Sequence, residues 1–438
     1  MKKFILMCFV LCFSILVFSE SISIMFAGDT HGRLIEEIDI ETNIKRGGAG
    51  YFFGLIDVLR RKYPESLLFD TGDTMHGAYV NDKFKGEPQM LIMGMEDYNG
   101  FVPGNHDVGY GINNLIELTD KYNVNTICLN MINENDKSPV FKEYDIIDYK
   151  GIKILVTGLL TPLTNLSVTA ENLKGIKILE LEDVQQRYSQ IILDERPDIT
   201  IMLSHNGFRE DELVASLFSP DIILGGHSHT VKSRVTYYGK TRVYHAGSYY
   251  RNLGHLKIDF DKKIKKVDYN LYAVTSEYLS KKQNVQEIVD LYNEEVEKEL
   301  NEIIGYSEKD IKKSDEDISE LFIYLCTLLE KSTESDFAQL NNSGIRDYIR
   351  KGPVSVRDIF NIFPFGNMGV VLNVKGKDLL DDPWILKYKD IDADKIYKVV
   401  TNSYLAEKND TFNLKGFDKN TLEFTIRELV VNAMKNQL

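Results

Sequence analysis

The feature that most constrains the fold is a recurring junction, in which short apolar runs end directly in clusters of Asp, Asn and His set among glycines. The runs SISIMFA, SLLFD, IKILVTGLL, ITIMLSH and DIILGGH have strand length. Between them lie amphipathic stretches with helical spacing, at Tyr51 to Tyr63, Gln89 to Tyr98, Ile112 to Tyr122 and Val184 to Arg196. This alternation, from Ser21 to about Asp261, predicts a layered α/β domain. Loops at strand carboxyl ends converge on one edge of such folds, so polar clusters at nearly every junction predict a ligand site there.

Five blocks carry the candidate chemistry: GDTHG (Gly28 to Gly32), GDTMHG (Gly72 to Gly77), GNHD (Gly104 to Asp107), SHNG (Ser204 to Gly207) and GGHSHT (Gly225 to Thr230). All eight histidines precede residue 256, and six of them lie in these blocks. Asp29 and His31 are two residues apart, as are His227 and His229, so one turn can aim each pair at one point. Glycines on either side let the backbone approach an ion or phosphate closely. Carboxylate, imidazole and carboxamide together suit zinc, manganese or iron better than calcium, and the absence of cysteine from the blocks argues against a structural zinc site. A lone GDT stretch is usually only a strand-to-turn junction. GNHD and GHSH are more specific, because buried polar residues in series are costly unless something satisfies them.

These five blocks, in this order, resemble the calcineurin-like metallophosphoesterases, and within them the 5'-nucleotidase and UDP-sugar hydrolase family of exported enzymes. The resemblance implies an N-terminal metallophosphoesterase β-sandwich flanked by helices, a connecting helix and a smaller C-terminal α+β domain. It implies two divalent metal ions, zinc, manganese or similar, with Asp29, His31 and His229 on the first, Asn105, His205 and His227 on the second, and Asp73 bridging. His106 would then be the catalytic histidine that binds no metal, and Asp107 would orient its imidazole. His76, His245 and His255 match no ligand position and are expected to be structural or surface residues.

Gln283 to Ile304 has no Pro or Gly and carries apolar residues at helical spacing, which predicts the connecting helix over residues 283–304. The expected domains are thus 20–282 and 305–438, the second with a helix at Leu321 to Lys331 and strands at Val370 to Val374 and Tyr397 to Val400. Its blocks resemble the nucleotide-binding half of the same family. DFAQLNNSGIR would present Asn341 and Arg346, FPFGN would present Phe365 and Asn367, Phe412 would be a second stacking aromatic, and Asp418 would meet the ribose. Stacking between aromatics contributes roughly 1–3 kcal/mol per base and tolerates base identity. The sequence departs from the family in lacking glycines before Phe412 and an arginine near residue 312, where Lys312 or Lys313 stands instead. A lysine lacks the fork with which arginine grips phosphate.

The implied activity is removal of phosphate from nucleoside 5'-monophosphates. UDP-sugar hydrolysis and 2',3'-cyclic-nucleotide or 3'-nucleotide hydrolysis are the alternatives that share the site, and a non-catalytic nucleotide-binding surface protein is the alternative from another class. With 66 acidic against 52 basic residues, a net charge of −14 and no basic cluster, duplex nucleic acid is excluded as an expected partner. Residues 1–19, with Lys2, Lys3 and the apolar run Phe4 to Phe18, read as a cleaved signal peptide too short for a stable membrane span. The expected location is periplasmic or extracellular, and no oligomeric state is specified. Cys128 and Cys326, in different expected domains, are expected as separate buried thiols.

Overall fold

The computed structural model describes residues 20–38, 42–168, 170–314, 318–364, 366–380, 390–408 and 419–436. Two sheets face each other in the N-terminal domain. The first runs in the order Ile264–Ala273, Asn252–Phe260, Glu20–Ala27, Leu67–Asp70, Gly100–Phe101. Its last three strands are parallel. The second runs Thr236–Tyr238, Thr241–His245, Ile222–Gly225, Ile199–His205, Ile152–Leu160, Tyr144–Tyr149, with the four strands from Thr241–His245 to Ile152–Leu160 parallel.

Side chains alternate across a strand, and the burial follows that period. Ile22, Ile24 and Phe26 pack into one apolar layer with Ile154, Val156, Ile199, Ile201, Leu203, Ile222 and Leu224 of the opposite sheet. The intervening Met25 and Ala27 face another layer, with Phe52, Phe53 and Ile56 of the Ala49–Lys62 helix. On the outer face of the second sheet, Leu155, Met202 and Ile223 meet the helices Leu181–Glu195 and Asp211–Phe218. The result is a β-sandwich with helices on both sides, as the sequence resemblance implies. Each fully buried Ile or Leu in the central layer contributes roughly 1.5–3 kcal/mol.

The connecting helix occupies Gln283–Leu300 and buries Val285, Val289, Val296 and Leu300. It stops short of the expected Ile304, because Ile303–Ser307 is a strand paired antiparallel with Gly352–Ser355. In the second domain the sheet order is Phe337–Ala338, Ile396–Asn402, Met368–Lys375, Lys419–Thr425, with helices Glu320–Thr333 and Ile426–Lys435 against it. One apolar cluster continues from the N-terminal helices through Val285 and Val296 to Leu325, Ile359 and Val430. Cys128 and Cys326 are both buried, as separate thiols. Among the described residues no helix is long and apolar enough to cross a membrane.

Candidate metal and catalytic site

The parallel strands aim their carboxyl ends at one edge. Glu20–Ala27 leads into Asp29 and His31, Leu67–Asp70 into Asp73, and Gly100–Phe101 into Asn105 and His106. From the other sheet, Ile199–His205 ends on His205 itself, and Ile222–Gly225 leads into His227 and His229. Two groups result: Asp29, His31 and His229, and Asp73, His205 and His227, each with ligand atoms within 4.8 Å of one another. Asp73 Oδ2 lies 3.2 Å from His205 Nε2 and 3.8 Å from His31 Nε2, so one carboxylate oxygen sits between the groups. Its other oxygen, Oδ1, accepts the His106 backbone N–H at 2.8 Å.

The local backbone is built for this convergence. Asp29, His31, Asp73, His227 and His229 all have positive φ, between 48° and 71°. That region costs an ordinary L-residue about 1–2 kcal/mol and persists only where the surroundings enforce it. Gly104 is required by close approach, since a Cβ there would lie 2.2 Å from Asp73 Oδ1. The imidazoles are oriented from behind. His205 Nδ1 lies 2.6 Å from the Thr71 carbonyl and His31 Nδ1 2.9 Å from the His76 carbonyl, so each Nδ1–H donates and Nε2 is left as the ligand atom, which in His205 must first give up its own proton to Asp73's side of the cluster or to solvent.

Electrostatics divide the ligand residues into two sets, those held in the deprotonated form and those that keep a proton at neutral pH. Burial pushes the Asp29 carboxyl up to about 8. Burial would also raise Asp73, but His205 and His106 outweigh it and hold that carboxyl well below the usual range. Burial lowers His31 and His227 to about 4, whereas in His205 the Asp73 carboxylate overcomes burial and raises the imidazole to about 9. Asn105 Oδ1, His205 Nε2 and His227 Nδ1 are buried without a hydrogen-bond partner. Buried acceptors are seldom left so, and seven N/O donors around them fit a pair of borderline divalent cations.

His106 is exposed, and its ring centroid lies 5.0 Å from that of His31 in an edge contact. Asp107 departs from the expectation that it orients this imidazole. Its buried carboxylate instead accepts the backbone N–H of Gly104, Asp73, Thr74 and Met75 at 2.7–2.8 Å. Four amide donors consume its acceptor capacity, so it ties the GNHD loop to the GDTMHG loop. His245 and His255 are buried, the first 2.6 Å from Asp211 and the second 2.9 Å from Ser23 Oγ. His76, expected from sequence to be a structural or surface residue, touches both His31 and His106.

In the second domain, strand directions bring Asn341, Asn367, Asn402 and Ile426 to one end of the sheet. Together with Leu340, Gly344 and Phe363 they line a small cleft. Asn402 was missed by sequence reasoning, although a buried Asn closing an apolar strand was its visible signal. Its Nδ2 donates to Asn341 Oδ1 at 2.8 Å. Arg346 is exposed and does not line the cleft. Phe365, Phe412 and Asp418 lie outside the described residues.

Residues 22–231 match the calcineurin-like phosphoesterase family, and residues 303–382 match the 5'-nucleotidase C-terminal domain. The chain is 25% identical to the endonuclease YhcR of Bacillus subtilis over 81% of its own length, and spans 32% of that protein. It is 23% identical to the 5'-nucleotidase of Vibrio cholerae, covering 85% of this chain and 76% of the relative. Its fold matches the crystal structure of a 5'-nucleotidase precursor from Thermus thermophilus, with a TM-score of 0.76 at 20% identity over 95% of this chain and 97% of the other. Two matched regions in this order, on a shared two-domain fold, give the chain a calcineurin-like phosphoesterase region followed by a 5'-nucleotidase C-terminal domain.

Proposed function

We propose that the protein hydrolyses nucleoside 5'-monophosphates to nucleoside and phosphate, outside the cytoplasm. The observation that carries the nucleotide reading is the meeting of the two domains at the site: a side-chain carbon at Gly366, next to Asn367 of the cleft, would lie 3.3 Å from His76 Nε2, and His76 stacks on His106. In this reading a nucleoside at the asparagine cleft would turn its phosphate end towards His76, His106 and the ligand clusters. The names of its relatives support the same substrate class, and the basic start and apolar run of residues 1–19 support export to a periplasm or the exterior.

In this reading Asp29, His31 and His229 would hold one divalent ion, Asn105, His205 and His227 would hold a second, and Asp73 would be shared between them. When bound, a pair of divalent ions supplies charge that polarises the phosphoryl oxygens and acidifies a water. His106, exposed at the rim, donates its imidazole N–H to the phosphoryl group or to the departing nucleoside oxygen. Asn341 and Asn367 read the nucleoside from the cleft, and on the sequence resemblance Phe365 and Phe412 would stack on its base, Asp418 would meet the ribose and Arg346 would meet the nucleotide.

The test is phosphate release from AMP, UMP, 2',3'-cyclic AMP, UDP-glucose and a plain aryl phosphate by the manganese- or zinc-loaded protein. Faster hydrolysis of AMP and UMP than of the aryl phosphate supports the reading. Turnover of the aryl phosphate alone overturns its substrate half, and preference for the cyclic or sugar nucleotide replaces it.

A further inference from the structure

His76 lies inside the GDTMHG loop, and its surroundings are unlike those of a solvent-facing histidine. Its ring stacks on His106 with centroids 5.5 Å apart and 28° between planes. Its carbonyl accepts the Nδ1–H of His31 at 2.9 Å. Its Nε2 lies 3.9 Å from Asp82 Oδ1. Asp82, on the Tyr79–Phe84 helix, accepts the Tyr110 hydroxyl and forms an ion pair with Arg427. Arg427 belongs to the Ile426–Lys435 helix of the second domain, is only 5% exposed, and has its guanidinium 4.2 Å from the Phe360 ring centroid.

A buried ion pair across a domain boundary is weak evidence for stability, because desolvation offsets most of the attraction. Such pairs are better at selecting one geometry. The group in need of a fixed geometry here is His106, whose imidazole has no hydrogen bond among the described residues and is held by ring contacts with His31 and His76. A small misplacement of a proton donor costs up to about a hundredfold in rate.

We propose that His76 is a positioning residue for His106, and that through the Asp82–Arg427 pair it makes the placement of that imidazole depend on the seating of the second domain. This rests on the reading of His106 as the proton-donating group. The chain of contacts runs Arg427, Asp82, His76, His106, and it joins the nucleoside cleft to the rim of the ligand clusters.

The test compares full-length, manganese-loaded variants on AMP and on a plain aryl phosphate, with bound metal and thermal midpoint measured on each. His76→Ala is expected to lower kcat about tenfold or more on both substrates with metal content unchanged, and His76→Phe, which keeps the ring face, to recover it to within about threefold. Arg427→Met is expected to lower kcat about tenfold in the wild-type background and scarcely at all in the His76→Ala background, because both act along one path. If Arg427→Met does not fold, Asp82→Asn takes its place in the cycle. A His76→Ala enzyme with kcat within about twofold of wild type, a loss accompanied by loss of metal, or an undiminished Arg427→Met effect beside His76→Ala each overturns the proposal. His106→Ala measured in parallel separates the two ideas. Full turnover there removes the role of His106 itself, whereas loss there with none in His76→Ala removes only the positioning role.

Discussion

The carboxylate of Asp107 accepts the backbone N–H of Asp73 at 2.8 Å, so the residue between the two ligand groups is held by an acid that faces neither of them. The same carboxylate accepts three more amides from two loops. Asp107→Asn places an NH2 group against this all-donor cradle. It is expected to weaken metal affinity about 10- to 100-fold, as loss of an outer partner of a ligand does. Metal titration of the variant checks this; wild-type affinity with normal kcat would show that Asp73 keeps its place unaided.

Ligands must be deprotonated to bind a cation. In the protein alone, burial raises Asp29 to about 8, and Asp73 raises His205 to about 9 against the effect of burial, so both carry protons at neutral pH. Metal uptake at pH 7 should therefore release protons, and affinity should rise as pH approaches 9. Calorimetry in buffers of different ionisation enthalpy reads the release directly. An uptake heat independent of buffer contradicts it.

Bound ions also link to folding. At a free metal concentration about 100 times the dissociation constant, a site present only in the native state adds roughly 2.7 kcal/mol of stability. Treatment with a chelator is expected to lower the thermal midpoint and abolish turnover together, and manganese to restore both. A midpoint insensitive to chelation would show that the clusters are not filled in the purified protein.

His255 is buried 2.9 Å from Ser23 Oγ and beside Tyr63, and burial lowers its imidazole from 6.5 to about 4. Because the folded value lies below the unfolded one, the folded state takes up its proton later than the unfolded state does. This contribution to stability is present above about pH 6.5 and is lost as pH falls through about 4. Urea midpoints across that window should decline in the wild type and decline less in His255→Gln. Equal slopes in both proteins would remove His255 as a source.

Asn402 holds Asn341 within the cleft of the second domain, 2.8 Å from Nδ2 to Oδ1. Asn402→Ala is expected to raise KM for AMP about tenfold, the equivalent of one lost polar contact, while kcat/KM for an aryl phosphate stays within about twofold. Parallel losses on both substrates would place Asn402 in folding rather than in nucleoside recognition.

The sequence by itself determined where the chemistry lies along the chain. The meeting of Asp29, His31, Asp73, His205, His227 and His229 was legible because each ends or follows an apolar strand run, and parallel strands must deliver such residues to a common edge. The alternation of Ile22, Ile24 and Phe26 with Met25 and Ala27 likewise encoded two buried faces, and hence a layer on each side of the sheet. What only the tertiary structure decided are contacts between segments far apart in the chain. Nothing in GNHD distinguishes an Asp that orients its neighbour from one that accepts four amides, since three of those amides come from a loop some thirty residues away. Likewise His76 looks like any loop histidine until Asp82 and Arg427, 345 residues apart, meet beside it. Periodicity records which face a residue turns inward, whereas a partner across the domain boundary is set by packing of whole layers, which no local pattern carries.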